Sequence, residues 1–126
     1  MKIELGGICL DCRDAEELAR FYSELLGWPE VYRDGPEWIA LRKGDFGMSF
    51  QAEKWYEPPV WPEKTSALTK MMHFEIATDD VPAAVARALE LGAREAQPQP
   101  ADRDPNQLRV MLDPAGHPFC LCNDDA

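Results

Sequence analysis

The same succession of segments occurs twice along the 126 residues, and this duplication limits the fold more than any other feature. In the first pass, Ile3 to Cys12 is apolar and β-rich. Asp14 then stands where a helix cap belongs, ahead of Leu18, Phe21, Tyr22, Leu25 and Leu26 at helical spacing, and Gly27 ends the run. Three short strand candidates follow, Val31 to Arg33, Trp38 to Arg42 and Met48 to Ala52, separated by Gly35, Pro36 and the Lys43, Gly44, Asp45 turn. From Met71 the order restarts. Met71 to Thr78 reads as a strand, and Asp79 or Asp80 caps a helix carrying Val81, Val85, Leu89 and Leu91, which Gly92 closes. Strands are then expected around Glu95, at Leu108 to Leu112 and at Phe119 to Cys122. Sliding the halves by 66 superposes Ile8, Leu10 and Asp14 on Phe74, Ile76 and Asp80, and a slide of 69 superposes Gly47, Phe50 and Gln51 on Gly116, Phe119 and Cys120. This period exceeds the roughly 20 to 50 residues of solenoid repeats. The expectation is an α+β fold made of tandem βαβββ units. One domain would span residues 1–126, with repeat one over 3–52, a connection over 53–69 and repeat two over 70–123. The connection holds Pro58, Pro59 and Pro62 with Trp55 and Trp61, has no periodicity, and is also a candidate lid.

Charge narrows the function. Asp and Glu number 23 against 13 Lys and Arg, a formal charge of -10, the wrong sign for a phosphate backbone or an anionic membrane. No run approaches the ~20 apolar residues of a membrane helix. The opening residues, with Glu4 inside the apolar stretch, lack the features of a secretory signal, so a soluble cytoplasmic protein is expected. Cys9, Cys12, Cys120 and Cys122 are read as reduced thiols, since a chain of this size needs no disulfide staples. A four-thiolate zinc site is disfavoured, because residues three apart on a strand face opposite ways and Cys9 and Cys12 cannot easily grip one ion.

Three segments carry a family resemblance: GGICLDCRDAEELARFYSELLGW at residues 6–28, MMHFEIATDDVPAAVARALELGA at 71–93 and LDPAGHPFCL at 112–121. Together they make the chain similar to the vicinal oxygen chelate superfamily of glyoxalase I, bleomycin-resistance proteins and extradiol dioxygenases, and in particular to small glyoxalase-like domains. The resemblance implies curved mixed sheets around a cavity, a homodimer, and divalent-metal ligands on the first and last strands of both repeats. Those positions are occupied here by Gly7, Gln51, His73 and Cys120. Gly7 cannot ligate, and Cys120 stands where a carboxylate is usual. The implied cofactor is accordingly either none or one divalent ion, zinc, nickel, iron or manganese, held by Gln51, His73 and Cys120.

If residue 7 and His73 face the cavity, strand alternation adds Cys9, Ser49, Glu75 and Cys122 to the same lining. Glu75 beside His73 can be a catalytic acid/base, or a solvated carboxylate. Trp38, Trp55 and Trp61 can form an aromatic wall over a ligand, or cover the barrel mouth or a subunit interface. Two functions follow. One is the binding of a small apolar or aromatic molecule in a cavity with a degenerate metal site, through Trp38, Ser49, Gln51, Trp55, Trp61, His73 and Cys120. The other is a metal-dependent lyase or isomerase of glyoxalase I type, with Glu75 as acid/base.

Overall fold

The computed structural model describes residues 1–61 and 68–123. The chain divides into two compact units, Met1–Glu57 and Pro58–Ala126.

The first unit contains β1 (Gly7–Cys12), α1 (Ala15–Leu26), β2 (Glu30–Asp34), β3 (Trp38–Lys43) and β4 (Phe46–Ala52). Its sheet runs in the order β1-β4-β3-β2, with β1 parallel to β4 and the other pairs antiparallel. Asp14 caps α1 by accepting the Glu17 N–H at 3.1 Å, and Gly27 ends it in the left-handed conformation, φ 73°. Helix α1 rests on β3 and β4. Its buried Leu18, Phe21 and Tyr22 meet Leu10, Ile39, Leu41, Met48 and Phe50, which alternation sends to one side of the sheet. The Tyr22 and Phe50 rings stack with centroids 5.8 Å apart. Cys9, Trp38, Ser49 and Gln51 occupy the opposite face, in the register Cys9 to Ser49 and Trp38 to Gln51.

The second unit repeats this order with β5 (Phe74–Ala77), α2 (Val81–Glu90), β6 (Arg94–Glu95), β7 (Leu108–Leu112) and β8 (Pro118–Cys122), arranged β5-β8-β7-β6. Here β5 is parallel to β8 and the remaining pairs are antiparallel. Asp80 is the helix cap, accepting from Ala83 N at 3.1 Å. The tandem βαβββ organisation is thus present as an α+β fold of two four-stranded mixed sheets and two helices.

Two strands are shorter than expected. The first starts at Gly7 instead of Ile3, because its partner β4 begins at Phe46 just after the Gly44 turn. Likewise β5 starts at Phe74 instead of Met71, since β8 begins only at Pro118 and the first register pair is Phe74 with Phe119.

Two side chains complete the second unit's backbone pairing. Asp113, fully buried, uses one oxygen, Oδ1, to accept both Ala115 N at 2.9 Å and His117 N at 3.0 Å. That closes the Asp-Pro-Ala-Gly turn leading into β8. Gln99 acts as an extra strand residue beside β7: its Nε2 donates to Ala96 O and Val110 O at 2.7 Å each, and its Oε1 accepts Val110 N at 2.9 Å.

Candidate functional site

The register of the second unit decides which polar groups meet. Glu75 of β5 lies opposite Cys120 of β8, and His73 sits immediately before β5, two residues from Glu75 on the same side. His73 Nε2 and Glu75 Oε1 are hydrogen-bonded at 2.9 Å, and one ligand atom from each of His73, Glu75 and Cys120 lies within 4.8 Å of the others. Cys122 extends the group, its thiol donating to Glu75 Oε2 at 3.7 Å.

Cys120 is 7% exposed and packs in an apolar cluster with Ala96 and Val110, flanked by Trp61, Leu108 and Leu112. Burial pushes its thiol up to about 11. The Glu75 carboxylate and Cys122 add to the rise, and Lys70 and Arg103 partly offset it. The thiol is therefore protonated at neutral pH.

A cavity of about 250 Å³ opens against this cluster. Its wall includes His73 and Cys120, the apolar side chains of Leu108, Val110 and Pro118, and the ring of Trp61. The indole is held in place by its Nε1 donating to Pro98 O at 3.0 Å, and Lys70 Nζ lies 5.1 Å from the ring centroid. Lys70, Asp102 and Arg103 supply the charged part of the wall. None of these three belongs to a recognisable motif, and Asp102 and Arg103 fall in the unpatterned stretch between β6 and β7.

An imidazole nitrogen, a carboxylate oxygen and a sulfur form a donor set that suits a borderline-soft divalent ion such as zinc, with a fourth position left for water or ligand. Two of the three expected ligands, His73 and Cys120, are thus together in the second unit, where Glu75 is the neighbouring donor. Gln51 belongs to the first unit.

On the sheet face of that first unit, Cys9, Trp38 and Ser49 line a groove of about 480 Å³ with Tyr32 and Arg42. Partial burial raises the pKa of the Cys9 thiol, a hydrogen bond with Ser49 works against the rise, and the charges of Asp11 and Glu53 add to it. At Gly7 a Cβ would lie 2.5 Å from Gly47 O, which explains physically why the position carries no side chain. Trp55 is 83% exposed, with Lys54 Nζ 5.0 Å from its ring centroid. No described helix is long and apolar enough to cross a membrane.

A family model described as a glyoxalase-like domain matches residues 7–122. No curated protein matches the chain. Among solved structures, the chain is similar to a glyoxalase/bleomycin resistance protein/dioxygenase family enzyme from Burkholderia phytofirmans, at 17% identity and TM-score 0.70, covering 96% of this chain and 98% of that one. It is also similar to a glyoxalase-related enzyme from Fulvimarina pelagi, at 22% identity and TM-score 0.67, covering 97% and 88%. A third similar structure is a mutant fosfomycin resistance protein from Listeria monocytogenes, complexed with Mn(II) and 1S,2S-dihydroxypropylphosphonic acid, at 18% identity and TM-score 0.65, covering 97% and 90%.

Proposed function

Because the chain belongs to the glyoxalase-like domain family, we propose that it binds a small apolar or aromatic molecule in the cavity of its second unit, beside a divalent-cation position made by His73, Glu75 and Cys120. The observation that carries this reading is the shared wall: two of the three donors line the same cavity as Trp61 and its aliphatic neighbours. The Listeria protein, which holds Mn(II) together with a small organic ligand, supports the pairing of cation and ligand.

When bound, the cation supplies Lewis acidity to a ligand oxygen. The chain's own groups do the rest. Leu108, Val110 and Pro118 exclude water from one side, Trp61 offers a flat surface fixed by its bond to Pro98, and Cys120 would hold a bound cation as the thiolate, its proton released to solvent. The four cysteines are free, which supports a reducing, cytoplasmic setting. The net charge of -10 argues against nucleic acid and anionic membranes as partners, and family resemblance supports a homodimer. Gln51, Ser49, Trp38 and Trp55 remain candidate ligand contacts of the first unit.

A second reading, a metal-dependent lyase or isomerase of glyoxalase type, is favoured by the hydrogen bond between His73 and Glu75, which is an acid/base pair in form. Glu75 is not among the cavity's lining residues, and for that reason binding is preferred over catalysis.

Metal content tests the proposal directly. Protein purified without an affinity tag or chelator is incubated with zinc, nickel, manganese or iron(II), desalted and measured by mass spectrometry. Near-stoichiometric retention of one ion, lost in His73→Ala, is expected. Failure to retain any of the four removes the cation from the reading. Turnover of a thiol hemithioacetal by the loaded protein replaces binding with the second reading.

A further inference from the structure

We propose that the first unit carries a binding site of its own, the groove on its open sheet face, which takes a flat aromatic carboxylate with the acid group on Arg42 and the ring against Tyr32 and Trp38. This site concerns that unit alone and stands whether or not the second unit holds a cation. Strand register builds the groove. Across the face away from α1, Gly7 of β1 lies beside Gly47 of β4, which lies beside Arg42 of β3; in the next row Cys9, Ser49, Ala40 and Tyr32 follow one another over all four strands. Five small residues in two rows make a hollow floor, and the longer side chains of Arg42, Tyr32 and Trp38 stand around it. The glycine at 47 has a use here. A Cβ on it would lie 3.1 Å from Arg42 Nη2, so its absence lets the guanidinium lie over the floor.

The charge of the groove runs against that of the chain. Acidic residues outnumber basic ones by 23 to 13 overall, yet among the described lining residues Arg42 is the one that carries charge. Its guanidinium has no hydrogen bond or ion pair among the described residues. Glu30, the acid nearest in register, opposite Leu41, is engaged by Arg33. Asp34 and Asp11 share the open face but lie in the row of Trp38, four residues along β3 from Arg42, a span of roughly 13 Å. A guanidinium fork matches the two oxygens of a carboxylate, and the Tyr32 and Trp38 rings offer flat surfaces for an aromatic body. The volume of about 480 Å³ holds about sixteen water-sized groups at roughly 30 Å³ each, room for two fused rings with an acid group.

The test uses chelator-treated, desalted protein, so that a bound metal cannot attract the acid. The probes, 2-naphthoate and its neutral counterpart 2-naphthamide, are titrated by calorimetry. Because Arg42 is exposed and its charge screened, the acid is expected to bind about fivefold more tightly than the amide, with an affinity that falls on adding KCl while the amide's does not. Arg42→Gln should remove the acid's advantage, leave amide binding unchanged and unfold at the parent's urea midpoint, since the side chain has no described partner to lose. Trp38→Leu should weaken acid and amide alike. Equal binding of the two probes, an advantage that survives Arg42→Gln, binding of both that is indifferent to Trp38→Leu, or no binding at all each overturns the proposal. The cation reading of the second unit is untouched by any of these results, because metal retention measures it separately.

Discussion

Replacing Gln99 with leucine removes three hydrogen bonds of 2.7 to 2.9 Å without removing a backbone group, and isolates how far a side chain can stand in for a strand. The cost is uneven across its partners. Val110 O keeps the bond from Ala96 N at 3.0 Å, so it remains satisfied. Val110 N loses its Gln99 acceptor inside a residue only 5% exposed. An orphaned buried donor costs about 1–3 kcal/mol, and each net bond lost elsewhere about 1 kcal/mol. The sum is about 2–4 kcal/mol. For a domain of this length each kcal/mol moves the midpoint by roughly 3–6 °C, which puts the fall in Tm at roughly 6–24 °C. Gln99→Glu sharpens the test. It keeps an acceptor for Val110 N but sets an oxygen against two carbonyl oxygens, which favours the protonated acid in the folded state. The variant's folded pKa is then raised, so stability is retained below the unfolded value near ~4.3 and lost as pH rises through the folded one. Thermal and urea unfolding at pH 4 and pH 7 measure both variants. A leucine variant within about 0.5 kcal/mol of the parent refutes the argument that Gln99 completes the sheet.

The other expectations follow the same physics. Asp113→Ala should cost about 2–4 kcal/mol in urea unfolding, because two backbone N–H groups lose one shared acceptor; Asp113→Asn, which keeps an oxygen at that place, should cost less than half as much. Limited alkylation of the metal-free protein, followed by peptide mass mapping, should mark exposed Cys9 well before Cys120, and equal rates would contradict the burial of the second thiol. The neutral Cys120 thiol contributes stability that is present below its ordinary value of 9.0 and lost as pH rises through about 11. Over that interval Cys120→Ser should lose less stability than the parent. His73→Ala in metal-free protein should unfold within about 0.5 kcal/mol of the parent, since the imidazole is exposed and its one described bond is to an exposed carboxylate.

Local rules carried much of the architecture into the sequence. Asp14, Asp80 and Gly27 announce helix ends because capping is settled within four residues. In the first unit, alternation separates Leu10, Met48 and Phe50 from Cys9 and Ser49, because a helix covers only one side of that sheet. Alternation fails on β8, where all five residues from Pro118 to Cys122 are buried. There the second face is covered by Ala96, Val110 and Trp61, so Cys120 shares the burial of Phe119 and Leu121. His73, Glu75 and Cys120 could each be picked out individually, but their closeness depends on a parallel pairing between residues some 45 positions apart. Lys70, Arg103 and Gln99 left no signal. They lie in connecting segments without periodicity, and a side chain that pairs with distant backbone has no local pattern.

The tight approach of β1 to β4 at Gly7 and Gly47 also limits what this pair of strands can accept. Any side chain placed at residue 7 would drive its Cβ into the Gly47 carbonyl, so no single substitution there is accommodated without displacing backbone. An engineer wanting a functional side chain at this place would have to reshape two strands together.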